Sequence, residues 1–150
     1  MLQRIQSLYL LGTVLLQVLI TQFTFLRYSK ETIMHSLFAN GEMNDTDSTI
    51  VADYKQLFIA ILAGVFAIVS IAVFKNMKLQ LKLNKLILFI CVTQIAFVAI
   101  RTYALIDQGA SDISLGVATF LIPAAAILTL LASKAIKKDE ALIKSVDRIR

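Results

Sequence analysis

Four long apolar runs dominate this chain of 150 residues and limit what it can fold into. A helix needs roughly 20 apolar residues to cross a hydrocarbon core of about 30 Å, and each run meets or approaches that length. Only helices and closed barrels satisfy their backbone hydrogen bonds in lipid, and these runs lack the alternation of barrel strands. We therefore predict an all-α integral membrane four-helix bundle with spans at about residues 8–26, 57–74, 86–106 and 116–136.

The composition supports a membrane protein. The chain is 58% hydrophobic with a mean hydropathy of +0.77, above the apolar share of ordinary soluble domains. The first run is followed by "TQFTFLRYSK" and not by the small-residue pattern of a signal cleavage site, so we expect it to remain as an anchor.

The basic residues are shared unequally between the two sides of the predicted membrane. Eleven of the 15 lie in the N-terminal segment, the connection at residues 75–85 and the C-terminal tail, while Arg27, Lys30 and Lys55 lie on the other side. By the positive-inside rule we expect both termini to be cytoplasmic. The net charge of +5 is therefore a topology signal, and the expected partner is the lipid bilayer and not nucleic acid.

Polar side chains occur inside two of the spans. Gln17 and Gln94 lie at similar distances from the cytoplasmic ends of the first and third spans, so their amides can meet at mid-membrane. In one interpretation such a pair only stabilises the packing of the two helices, and in the other it forms part of a solute pathway. The sequence leaves both open.

Arg101 is the single charge within a span, and intramembrane charges are candidates for function. Three interpretations remain open. The side chain can extend to the nearby outer interface, pair with Gln94, Gln22 or Asp107, or form an anion or proton site.

No catalytic, cofactor or metal motif is visible, and we expect a protein that is not an enzyme. His35 has Glu31 four residues before it but no second histidine and no cysteine on that side, which is too little for a metal site. The outer loop at residues 27–56 is left without a predicted conformation, although residues 32–38 are apolar enough to lie on the membrane or on the bundle.

The last residues, 137–150, are charged on one side of a helical wheel and apolar on the other. We predict a cytoplasmic amphipathic helix that continues the fourth span, with residues 1–136 forming the transmembrane domain. A solvated flank and a helix lying on anionic lipid are the alternatives, but docking to protein is favoured because the three acidic residues of the tail cancel half of the six basic charges from Lys134 onward. Asp139 is predicted to face the bundle and to pair with Arg4 or with a lysine of the 75–85 connection.

The two ends of the chain, "MLQRIQSLYLL" and "KAIKKDEALIKSVDRIR", resemble those of a family of small four-helix membrane proteins from Bacteroidota, catalogued as domain of unknown function 4293. The resemblance implies an integral inner-membrane protein with both termini inside and no established activity. It marks five positions as important without assigning them a role: Arg4, Asp139, Glu140, Asp147 and Arg148.

These features favour a non-catalytic accessory or scaffold protein whose cytoplasmic face contacts another membrane or cytoplasmic protein. The alternative is a small transporter or channel subunit that uses Gln17, Gln94 and Arg101. The sequence does not indicate the oligomeric state.

Overall fold

The computed structural model describes residues 3–30, 33–44 and 50–147. Four long helices form its main part, and each is long and apolar enough to cross a membrane. The third and fourth extend beyond the apolar runs, and the fourth continues without a break from the last run into the tail. The helices are α1 Gln3–Gln22, α2 Lys55–Ala72, α3 Met77–Asp107 and α4 Val117–Asp147.

The fold is not all-α, because the connections at one end of the bundle form an antiparallel sheet. Its strands are β1 Leu26–Lys30, β2 Ile33–Phe38, β3 Gly41–Asn44, β4 Ile50–Ala52 and β5 Ser111–Leu115. The strand order is β4-β3-β2-β1-β5, so the last strand, which lies between α3 and α4, pairs with the first. The expectation of a purely helical chain was wrong because these strands are only three to six residues long and β5 lies far in the sequence from its partner β1.

The helices form a ring in which α1 and α3 each pack against both α2 and α4. The sheet covers the end where α1 finishes and α2 begins, and we call this the sheet end. The opposite end holds the start of α1, the turn at residues 73–76 and the last turns of α4, and we call it the tail end. In the turn, Asn76 caps α3 by accepting a hydrogen bond from the backbone nitrogen of Leu79 at 3.2 Å.

Phe25 joins the sheet to the bundle. Its backbone nitrogen donates to the Leu37 carbonyl at 2.8 Å, and its carbonyl accepts from the Gly116 nitrogen at 2.7 Å and from the Thr119 hydroxyl at 2.6 Å. Gly116 approaches so closely that a Cβ there would lie 2.1 Å from the Thr24 carbonyl oxygen. A residue without a side chain is therefore required where β5 turns into α4.

The distribution of polarity is the reverse of that in a water-soluble protein. Large apolar side chains such as Phe58, Phe89 and Ile100 are exposed by 67%, 68% and 67% of their surface. Eight polar side chains of the helices lie inside, namely Gln6, Thr13, Gln17, Ser70, Gln80, Asn84, Gln94 and Thr129. This arrangement is stable in lipid, where outward apolar groups lose nothing and inward polar groups find partners in one another.

Candidate functional site

The centre of the bundle contains a pair of amides. Gln94 Nε2 donates to Gln17 Oε1 at 3.2 Å, and Gln17 Nε2 donates to Gln94 Oε1 at 3.5 Å. Both side chains are at most 2% exposed, and Gln17 also lies 3.8 Å from the Cys91 sulfur. The structure thus brings together the two glutamines, as their similar depth in the predicted membrane suggested. Because α1 and α3 are not neighbours in the ring, the pair spans the diagonal of the bundle.

Further toward the tail end, hydroxyl and amide groups connect the other helices. Ser70 donates to Asn84 Oδ1 at 2.8 Å, and Asn84 Nδ2 donates to the Ser133 hydroxyl at 3.3 Å, which joins α2, α3 and α4. The hydroxyls of Thr13 and Thr129 lie 3.3 Å apart between α1 and α4. Each group has a partner inside the bundle, as polar groups in lipid require.

Two buried glutamines differ from this pattern. Within the described part of the chain, the side-chain Nε2 and Oε1 atoms of Gln56 and of Gln80 have no hydrogen-bond partner. Gln56 lies in the first turn of α2 at the sheet end, and Gln80 lies in the first turn of α3 at the tail end. Unpaired buried amides are costly and rare, which makes both positions candidates for a bound water or solute.

At the tail end, Asp139 faces the bundle and is only 6% exposed. The side chain of Gln6 donates to its carboxylate and joins the start of α1 to the end of α4. Sequence reasoning missed Gln6, although it lies seven residues before Thr13 and therefore on the same face of α1. The side chains of Arg4 and Asp147, and all of Arg148, lie outside the described residues.

Beyond Asp139, α4 carries apolar side chains that the bundle does not cover. Leu142 is 45% exposed and Ile143 is 50% exposed, while Glu140 beside them is partly buried. The apolar stripe of the tail is therefore accessible at these two positions.

At the sheet end, Arg101 forms an ion pair with Asp53, with 3.4 Å between Nη2 and Oδ2. Lys55 contacts the same carboxylate oxygen at 3.7 Å. Among the interpretations left open for Arg101, pairing with Gln94, Gln22 or Asp107 is not what the described residues show. Gln94 is paired with Gln17, and the partner observed for Arg101 is Asp53, in the residues that lead into α2. The position of Asp53 depends on the pairing of β4 with β3, which the sequence did not predict.

The sheet adds a second polar cluster, formed by Tyr28, His35 and Glu42. The rings of Tyr28 and His35 are stacked with their centroids 5.1 Å apart. His35 Nδ1 lies 3.1 Å from Glu42 Oε1, and the Tyr28 hydroxyl donates to the same oxygen. Burial raises the pKa of Tyr28 above its ordinary value, and the hydrogen bond to the Glu42 carboxylate raises it further. Within the described residues, no group of three His, Cys, Asp or Glu side chains is placed to hold a metal ion.

The four helices and the paired polar groups between them define a helical protein with four segments long and apolar enough to cross a membrane. A sequence model described as "Domain of unknown function (DUF4293)" matches residues 2–149, and the chain belongs to this family. The resemblance inferred from the two ends of the chain is thereby confirmed. A search of curated proteins found no match.

Proposed function

We propose that this chain is a non-catalytic accessory or scaffold protein of a bacterial inner membrane, with both termini in the cytoplasm. The observation that carries the proposal is the exposure of Leu142 and Ile143 on α4, beside the carboxylate of Asp139 that anchors this helix to α1. A helix end that is held in place and still presents apolar side chains is suited to binding a partner.

The length of α4 supports this role. Its 31 residues extend about 46 Å at about 1.5 Å per residue, which exceeds a hydrocarbon core of about 30 Å. The basic residues of the 75–85 connection and of the last turns of α4 support a cytoplasmic position for the tail end, because eight lysines lie there and positive charge is retained inside. These are Lys75, Lys78, Lys82, Lys85, Lys134, Lys137, Lys138 and Lys144.

The topology is tested with reporter fusions. A reporter fused after Arg150 is expected to be active only in its cytoplasmic form, and one inserted near Asn44 only in its exported form. The opposite pattern would overturn the assignment of sides.

The scaffold role is tested by mild crosslinking in cells and recovery of the full chain in detergent. We expect a partner in fixed stoichiometry with the native chain and with a Ser145→Lys control, whose substitution also lies on the exposed part of α4. The partner should be lost when Leu142 and Ile143 are both replaced by Lys. Recovery of no partner, or equal recovery with all three chains, would contradict the proposal.

A small transporter or channel subunit is the second candidate, and the unpaired amides of Gln56 and Gln80 favour it. They lie at opposite ends of a bundle whose centre holds the amides of Gln17 and Gln94. Solute flux into liposomes that depends on Gln80, with Gln80→Leu inactive and the exposed Gln22→Leu unchanged, would favour this function over the scaffold role.

A further inference from the structure

A pocket of about 220 Å³ lies between the sheet and the last turns of α3. Lys30, His35 and Glu42 line it from the sheet, Arg101 lines it from α3, and Gln108 lines it from the residue that follows α3. Its volume is below the range of about 300–1,000 Å³ found for drug-sized ligands, so it suits a small ion or one group of a larger molecule.

The acceptor of this pocket is already engaged, whereas its donors are not. The carboxylate of Glu42 accepts a hydrogen bond from the Tyr28 hydroxyl and lies 3.1 Å from His35 Nδ1. Its donors retain capacity, because Arg101 uses Nη2 for Asp53 and a guanidinium carries five N–H groups. The side chains of Lys30 and Gln108 show no hydrogen bond or ion pair with another described residue.

The charges of the side chains that line the pocket also favour an anion. Lys30 and Arg101 bring two cations to the pocket, against the single carboxylate of Glu42. Asp53 offsets part of the charge of Arg101 from the neighbouring side, but Lys55 shares that carboxylate. The open donors around the pocket therefore favour an anionic guest, and Arg and Lys together with an amide are typical ligands of phosphate.

The position of the pocket along the bundle also suits a phosphate group. Arg101 and Gln108 lie at the end of an apolar helix, next to Tyr103, which is 74% exposed. Exposed tyrosines at the ends of spans lie at the level of lipid headgroups. A phosphate group is available there both in phospholipids and as the free ion.

We propose that this pocket binds a phosphate group, held by Lys30, Arg101 and Gln108, while Tyr28 and His35 engage the carboxylate of Glu42. This site is independent of the proposed scaffold role, because it lies at the other end of the bundle from Leu142 and Ile143.

Lys30→Gln is the test variant, since it removes one pocket cation without breaking a contact between described residues. Arg27→Gln is the matched control, because it removes the same charge from an exposed position on the same strand and does not line the pocket. Lys30→Arg restores the cation. All are made in the full chain.

One arm titrates inorganic phosphate into the purified protein by calorimetry at constant ionic strength. The other places the protein in phosphatidylcholine nanodiscs containing phosphatidylglycerol and counts retained phosphatidylglycerol by native mass spectrometry. In at least one arm, the native chain, Arg27→Gln and Lys30→Arg are expected to bind, with affinity or retention at least tenfold lower for Lys30→Gln.

A response in the first arm identifies the free ion as the ligand, and a response in the second alone identifies the lipid headgroup. Absence of binding in both arms, or equal binding by Lys30→Gln and Arg27→Gln, would overturn the proposal.

Discussion

The amides of Gln17 and Gln94 donate to each other across the diagonal of the bundle, at 3.5 and 3.2 Å. This reciprocal pair is a direct contact between two helices that are not neighbours in the ring. It leaves each glutamine with a buried partner that matches both its donor and its acceptor.

The first prediction concerns this pair. Gln17→Leu or Gln94→Leu alone leaves the other amide buried without its partner, so each should lower the free energy of unfolding in detergent by about 1 kcal/mol. The double replacement removes both amides and should cost less than the sum of the two. Gln22→Leu, at an exposed position, serves as the control. Additive effects would mean that the two amides do not interact.

A second prediction tests the close contact at Gly116. Gly116→Ala would bring a Cβ to 2.1 Å from the Thr24 carbonyl oxygen, and because that atom belongs to the backbone it cannot move aside alone. We expect a loss of several kcal/mol and faster hydrogen exchange in β5. Gly64→Ala is the matched control, since its Cβ would lie 3.9 Å from the Gln17 Cβ. Equal stability of the two variants would be inconsistent with this geometry.

The contact between Gln6 and Asp139 gives a third prediction. Gln6→Glu places a second carboxylate against a buried one, and the two negative charges repel. The variant should be destabilised at neutral pH and should regain stability as acid protonates one of the pair, in contrast to the native chain. Adding Asp139→Asn restores a carboxylate–amide pair and should remove this pH dependence. Thermal unfolding measured at several pH values provides the test.

A fourth prediction follows from the raised pKa of Tyr28. The folded state favours the neutral phenol, so the stability that Tyr28 contributes is fully present below its ordinary pKa of about 10 and is lost as pH rises through the folded-state value. Tyr28→Phe should cost about 1 kcal/mol at neutral pH through loss of the hydrogen bond to Glu42. The stability difference between the native chain and Tyr28→Phe should therefore shrink above about pH 10, and a constant difference would contradict the assignment.

The helices could be predicted from sequence because each depends on local properties, namely the length and apolarity of one segment. The meeting of Gln17 and Gln94 could also be predicted, since helical rise alone fixes their depth. The burial of Asp139 was expected because it lies beside the apolar stripe of the tail, while most charges there face away.

The sheet could not be predicted in the same way, because its strands are short and the pairing of β5 with β1 joins distant segments. The pairing of Arg27 with Ser114 joins residues separated by the whole of α2 and α3. The contact of Arg101 with Asp53 depends on the pairing of β4 with β3 and was missed because those strands were not predicted. The stacking of Tyr28 and His35 was missed for a similar reason, because the two rings face each other only in the register of β1 and β2.

The position of β5 at the edge of the sheet has a consequence for biogenesis. Strands β1 to β4 leave the ribosome before α2, whereas β5 follows only after α3 has been made. Until translation passes Leu115, one edge of β1 has no neighbour from its own chain, and open strand edges attract unrelated chains. Any nascent chain stalled before that point carries this liability, so the last strand to be synthesised is also the one that covers this edge of β1.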